Sequence, residues 1–458
     1  RQARNLVHSL RPAPGVDLVQ GLAVLPGRSL DELLWATGGF APSLRVEDLQ
    51  GGVVAGRPAM QLNATLSGAE ALLQTCQHPA VREGLLRLLT QTRVDDLSPP
   101  AKANLVRALR SEGQRVHRQR GLLAVASVLL RTRGADLSRL KRRMAGLYPL
   151  VFQDLAPLGL DEPVLAHFAA EAEVPGPTPP PLHILSDIDD TAYPGWRDRR
   201  YPRGFMYPGM LALYQELVSP GRASAAGEEG EAGLDSRGYL TFLTARPDLP
   251  LFKTWTARRL AKRGLGQDLE LLLGSVGSGL HALAGGVATG SRQGNERIAL
   301  HKFENFRRFQ RVYPEHQFVF VGDSGQGDAL VGQLLLTHFP SQVRAVFIHD
   351  LCPSEPTTGD GGEKVVYKAN GLMFYESPLH AACLAFHQEL LDASSVERVA
   401  RATANTVLQM GGGSGSLFPL LAPAHVKSAS HQLHERDSLR LKRVIGEERV
   451  SKIIPPRS

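Results

Sequence analysis

The segment LHILSDIDDT, residues 182–191, sets Asp187, Asp189 and Asp190 directly behind a run of apolar residues. Carboxylates this close repel one another, so the arrangement implies a cation that offsets the repulsion. Further along, FLTARP ends a second apolar run with Thr244 and Arg246, and VGDSGQGD places Asp323 and Asp328 after another. Lys302 opens the helical pattern that leads into VGDSGQGD. An all-oxygen set with no competing His or Cys spacing suits Mg2+. Carboxylates, a hydroxyl, an ammonium and such an ion together suit phosphoryl transfer. One carboxylate attacks phosphorus, while metal and lysine neutralise the spreading equatorial charge. A carboxylate two residues along protonates the leaving oxygen and then activates water. Asp190 falls outside that pair and reads as a turn former or helix cap.

These residues need a scaffold that brings distant segments to one rim. Short apolar runs at 182–186, 239–244, 269–274, 317–322 and 343–349 read as strands, with helical patterns at 208–218, 249–264, 301–313 and 327–339. That alternation is the signature of a parallel sheet, whose ligands gather at the carboxyl ends of the strands. Two Gly-rich inserts, 221–238 and 284–296, read as mobile surface loops.

The chain of 458 residues is too long for one ordinary core. Residues 1–172 read as a mainly helical N-terminal region, and 173–181 as a Pro-rich linker. Residues 182–352 form the α/β catalytic domain, 353–410 a C-terminal helical extension, and 411–458 a polar, basic tail with the composition of a disordered segment. GLLAVASVLL, 121–130, is the longest membrane candidate and is half the length a span needs, so it reads as a buried helical turn or strand. Three cysteines without a pattern point to a reducing, cytoplasmic setting. The chain opens at Arg1, so a targeting peptide ahead of it stays open.

DIDDT, FLTARP, Lys302 and GDSGQGD, in that order, resemble the four motifs of haloacid dehalogenase-type phosphatases over roughly residues 180–352. More narrowly, SDIDDT, VGDSGQGD and FPSQVRAVFIHDL resemble the App1-like phosphatidate phosphatase catalytic domain. The resemblance implies a Rossmannoid three-layer sandwich with a minimal cap. It also implies that Asp187 is the nucleophile and Asp189 the general acid/base. Thr244 and Lys302 would bind the phosphoryl group, and Lys302 would steady Asp187. Mg2+ would sit on Asp187, Asp323 and the backbone carbonyl of Asp189, with Asp328 supporting that site.

The stretch YPGWRDRRYPRGFMYP, 193–208, mixes arginines with aromatics. It reads either as a flap over the site, with Arg197, Arg199, Arg200 and Arg203 for phosphate or lipid head groups and the aromatics for the bilayer interface, or as an ordinary surface loop. Arg246 reads equally as a substrate contact or a salt-bridge partner. The inserts are too small for a separate cap core, which leaves the site open to a head group on a membrane. Between Lys102 and Arg143 the only acids are Glu112 and Asp136, so this segment suits an anionic lipid surface or nucleic acid, or equally a solvated helix face. The expected enzyme is a Mg2+-dependent phosphatase using an anionic phospholipid, phosphatidate, at a peripheral membrane surface. No dedicated nucleic-acid motif is present, and the oligomeric state is open. A phosphoprotein or polynucleotide-end phosphatase and a non-catalytic scaffold stand as the alternatives.

Overall fold

The apolar runs form strands β1 (Leu182–Ser186), β2 (Tyr239–Pro247), β3 (Glu270–Gly274), β4 (Gln317–Asp323) and β5 (Val343–His349). The computed structural model describes residues 22–24, 27–35, 69, 73, 79–111, 115–144, 146–173, 180–195, 197–198, 200–201, 205–218, 239–247, 270–274, 292–325, 327–351, 370–412 and 436–453. The expected linker core, the helix at 249–264 and the insert at 221–238 lie outside these residues. A sixth strand, β6 (Met373–Tyr375), falls within the segment expected to be purely helical. It pairs parallel to β5, which corrects the expected count of five strands.

Every strand pairing is parallel, in the order β3-β2-β1-β4-β5-β6. The chain builds outward from β1 to β3, then returns to set β4 on the other side of β1. The direction of winding therefore reverses between β1 and β4, and a crevice opens there at the carboxyl ends. Both strands are buried after their first residue. Their register pairs Ile184 with Val319 and Ser186 with Val321.

Alternation along the strands divides their side chains between two faces. Ile184, Phe242, Val319, Val321, Phe347 and Tyr375 join one buried cluster. It includes apolar residues of α7 (Met210–Val218), α10 (Pro378–His387) and α11 (Ala393–Gly412). On the other face Phe318 meets Phe306 edge-on at 5.1 Å, from α8 (Arg292–Val312). Gly332 of α9 (Asp328–His338) lies so close to Val346 that a Cβ there would stand 2.5 Å from its Cγ1. Helices thus cover both faces of the sheet.

Two expectations are corrected here. The helix carrying Lys302 begins at Arg292, inside the expected Gly-rich insert, so Lys302 sits mid-helix and not at its opening. The expected tail also contains helical residues 436–445 and a helix at Glu447–Ile453. Leu441, Ile445, Val450 and Ile453 recur at helical spacing and are buried in the sheet's core cluster. Their few apolar positions are diluted among charged residues, which is why composition alone hides them.

The chain divides into two compact units, 1–177 with 311–314, and 178–310 with 315–458. In the first, the described helices include α1 (Gly27–Trp35), α2 (Pro79–Arg87), α3 (Pro99–Arg110), α4 (Arg115–Arg131), α5 (Gly134–Arg143) and α6 (Asp161–Ala172). The run GLLAVASVLL lies within α4. Ser98 caps α3 by accepting from the Ala101 N–H, with Pro99 at the first helical position. Lys141 of α5 is buried with its ammonium 4.0 Å from the Phe168 ring centre. Part of the basic segment is thereby used inside this unit.

Candidate functional site

Asp187 is the first residue past β1, and its backbone N–H donates to the Val321 carbonyl of β4 at 2.9 Å. That bond continues the sheet register by one residue and fixes Asp187 beside Asp323, the last residue of β4. Asp328, the first residue of α9, turns back toward both. Its Oδ2 accepts from the Asp323 N–H at 3.3 Å. Lys302 enters from α8 and donates to Asp187 Oδ1 at 2.9 Å and to Asp328 Oδ1 at 2.6 Å. One oxygen from each of Asp187, Asp323 and Asp328 lies within 4.8 Å of the others.

All four side chains are buried, so three carboxylates face one ammonium in a poorly hydrated pocket. Burial pushes the Asp187 carboxyl up to about 7, with Lys302 pulling it down and Asp328 and Asp189 pushing it further up. Burial, Asp328 and Asp187 likewise raise the Asp323 carboxyl well above its ordinary range. Burial works against the charge of Lys302, but Asp187, Asp328 and Asp323 outweigh it and hold the ammonium protonated. Asp187 Oδ2 and Asp323 Oδ2 are buried without a hydrogen-bond partner. Buried carboxylate oxygens without a partner, in a group of three residues that can each bring an oxygen within 4.8 Å of the others, are a donor set that fits a divalent cation.

Tight backbone approach makes the cluster possible. A Cβ on Gly322 would stand 2.6 Å from Asp328 Cβ, so only glycine lets Asp328 fold back against β4. Gly327 precedes α9 with φ +86°, and a Cβ there would stand 2.5 Å from the Asn295 carbonyl oxygen. The two glycines thus close the VGDSGQGD turn against β4 and α8.

The loop after Asp187 carries the second carboxylate. Asp189 is part-exposed, bridges to Tyr193, and does not contribute its carboxylate to the three-residue group. Asp190 is the loop former expected of it. It adopts φ +59°, its N–H donates to the Tyr193 carbonyl, and its carboxylate accepts from the N–H groups of Gly195, Arg197 and Asp198. Its carbonyl accepts from His349 Nδ1 at 2.7 Å, and Arg200 Nη2 lies 2.9 Å from His349 Nε2. Since the guanidinium can only donate, Nε2 accepts and the proton sits on Nδ1. Burial and Arg200 hold the His349 pKa down at about 4. Asp198 then binds Arg200 and accepts from the Tyr207 hydroxyl. The contacts themselves are not legible in the sequence, although Asp190 lies in DIDDT, His349 in FPSQVRAVFIHDL, and Asp198, Arg200 and Tyr207 in the 193–208 stretch.

The structure therefore gathers Asp187, Asp323, Asp328 and Lys302, with Asp189 on the adjoining loop. Thr244 and Arg246 lie at the carboxyl end of β2, but their side chains fall outside the described residues. Arg203 lies outside them altogether. Of the four loop arginines read from sequence, Arg197 passes close to the turn, its Cδ 2.8 Å from where a Cβ on Gly325 would stand, and Arg200 is bound to Asp198.

The family described as "Phosphatidate phosphatase APP1, catalytic domain" matches residues 282–350, a stretch holding Lys302, Asp323, Asp328 and His349. The match identifies an App1-like catalytic domain in this chain, and the enzyme class that goes with it is phosphoric monoester hydrolase. No curated protein and no solved structure matches the chain.

Proposed function

We propose that this chain is a Mg2+-dependent phosphatase of haloacid dehalogenase type that hydrolyses phosphatidate through an aspartyl-phosphate on Asp187. The carrying observation is the buried group of Asp187, Asp323 and Asp328 around Lys302, with two anionic oxygens left over for a cation. Asp187, Asp323 and the Asp189 carbonyl would hold Mg2+, with Asp328 in support. When bound, Mg2+ offsets the carboxylate repulsion and binds a phosphoryl oxygen.

The remaining work falls to the chain's own residues. A carboxylate oxygen of Asp187 forms a bond to phosphorus as the bond from phosphorus to the glycerol oxygen breaks. Asp189, part-exposed beside the cleft, gives its proton to that departing oxygen, and diacylglycerol leaves. It then takes a proton from water, whose oxygen attacks phosphorus and releases Asp187 and inorganic phosphate. Lys302 orients Asp187 throughout, with Asp328 fixing the lysine. Thr244 and Arg246, at the end of β2, supply further contacts to the phosphoryl group, and Arg203 contacts the lipid head group.

A lipid fits because the 182–352 region carries only a minimal cap, and because the 102–143 segment is basic. No described helix is long and apolar enough to cross a membrane, so the proposed association is peripheral, through an anionic surface. Phosphate release from phosphatidate in mixed micelles, with and without Mg2+, is the test. No release in either condition removes the lipid substrate, and full activity in Asp187→Asn removes the nucleophile assignment.

A further inference from the structure

We infer that His349 is a positioning residue for the Asp187 site, clamping the loop that carries Asp189 to the end of β5 beside Asp323. This rests on the phosphatase reading above and gives a part to a residue that the reading leaves unused.

The residue after Asp189 decides how that loop turns. Asp190 adopts φ +59°, a left-handed conformation that costs a non-glycine residue energy and persists only where its surroundings hold it. Two peptide planes meet at Asp190, and each is tied down. The one shared with Asp189 donates its N–H to the Tyr193 carbonyl at 2.7 Å, a bond within the loop. The one that follows offers its carbonyl to His349 Nδ1 at 2.7 Å, a bond that reaches the sheet.

His349 is also fixed to the other carboxylate-bearing segment. It pairs with Asp323 in the β4–β5 register, and its carbonyl accepts from the Ser324 N–H at 2.9 Å. One residue therefore holds the strand end of Asp323 with its backbone and the Asp189 loop with its side chain.

The imidazole is itself immobilised. Its ring is buried, stacked on Tyr375 at 5.0 Å and edge-on to Tyr207 at 4.8 Å. Arg200 Nη2 lies 2.9 Å from Nε2 and can only donate, which leaves the imidazole proton on Nδ1, facing the Asp190 carbonyl. Asp198 in turn holds Arg200 through both carboxylate oxygens and accepts from the Tyr207 hydroxyl. With both ring nitrogens engaged inside the fold, His349 acts on the reaction through Asp189 and not by touching substrate. A general acid displaced by about an ångström loses on the order of a hundredfold in rate. That loss depends on the leaving group, since an alkoxide needs a proton to depart and an activated aryl oxide does not.

The test compares wild type with two variants. His349→Phe keeps a ring between Tyr375 and Tyr207 but has no donor. In His349→Asn the amide nitrogen stands as many bonds from Cβ as Nδ1 does. In Mg2+, kcat/KM is measured on phosphatidate in mixed micelles, on a soluble alkyl phosphate and on an activated aryl phosphate. His349→Phe should lose about a hundredfold on the two alkyl esters and less than about fivefold on the aryl ester. His349→Asn should recover most of the loss. No loss, equal losses on all three esters, or His349→Asn as impaired as His349→Phe overturns the proposal, because a residue needed only for folding does not sort substrates by leaving group. A wild-type measurement stands apart from the folding of either variant. Nitrogen NMR of histidine-labelled protein should show His349 protonated at Nδ1 and bare at Nε2, and the reverse overturns the clamp. Wild type that cleaves the soluble esters but not phosphatidate refutes the lipid reading alone. Wild type that cleaves none of the three refutes the phosphatase reading, and the positioning role with it.

Discussion

Lys302 donates to Asp187 at 2.9 Å across 115 positions of chain, and both side chains are buried. The lysine sits in the middle of α8 and the aspartate just past β1, so their meeting depends on α8 packing against the sheet. Phe306, one helical turn on from Lys302, supplies that packing through Phe318. Removing the lysine should therefore affect fold and chemistry together. Lys302→Met leaves Asp187 and Asp328 without their shared counter-ion. We expect loss of turnover and a stability loss of about 3–5 kcal/mol in urea unfolding at pH 8. Retained stability would show that the two carboxylates do not depend on the ammonium.

Asp187→Asn has the opposite sign in metal-free protein. The Asp187 carboxyl titrates at about 7 in the fold, above an unfolded value of about 3.9. Between these values the folded state binds more protons than the unfolded one. Stability contributed by this group is thus present below about pH 4 and lost as pH rises through 7. Asn removes the penalty. Metal-free Asp187→Asn should exceed wild type by about 2–4 kcal/mol at pH 8 and match it near pH 4. Equal denaturation midpoints at pH 8 would contradict the burial argument.

Metal should reverse that ordering. Mg2+ held as proposed by Asp187 and Asp323, and only in the folded state, would raise the melting temperature by mass action and would compete with protons for those carboxylates. The shift in wild type should be larger at pH 8 than at pH 6, and should vanish in Asp323→Asn. A shift that survives in Asp323→Asn would place the ion elsewhere.

Much of this site is readable in the sequence because its parts sit at strand ends, where a carboxylate after an apolar run has few structural uses. Asp187, Asp323 and Asp328 carry that signal in DIDDT and GDSGQGD. Asp190 is legible too, since its offset excludes it from the pair and leaves a turn-forming role. Lys302 shows as a residue type, but its mid-helix placement does not. The GGVATGSRQGNE composition conceals that Arg292 already begins the helix. The His349–Arg200–Asp198 network is invisible for a different reason. The Arg200–Asp198 pair is local, but its link to His349 spans 149 positions, and nothing in the sequence joins that loop to the end of β5. β6 is missed because three residues cannot show alternation.

The C-terminal helices give the last prediction. Residues 436–453 look like a charged tail, yet Leu441 is fully buried beside the sheet's core cluster. Glu376, just past β6, binds Arg440 at 2.9 Å and Arg436 at 3.2 Å, and Ser377 donates to the buried Asp437 while capping α10. These contacts anchor the helix at the end of the sheet that carries the carboxylates. Leu441→Ala should cost about 2–5 kcal/mol, whereas Leu439→Ala, on an exposed residue of the same helix, should cost less than about 0.5 kcal/mol. A chain ending at residue 435 should lose more than either, because Leu441, Ile445, Val450 and Ile453 leave the core cluster and the anchoring ion pairs are lost. Urea midpoints for the two point variants and the truncation make the comparison. A truncated protein as stable as the full chain would return residues 436–453 to the role of a dispensable tail.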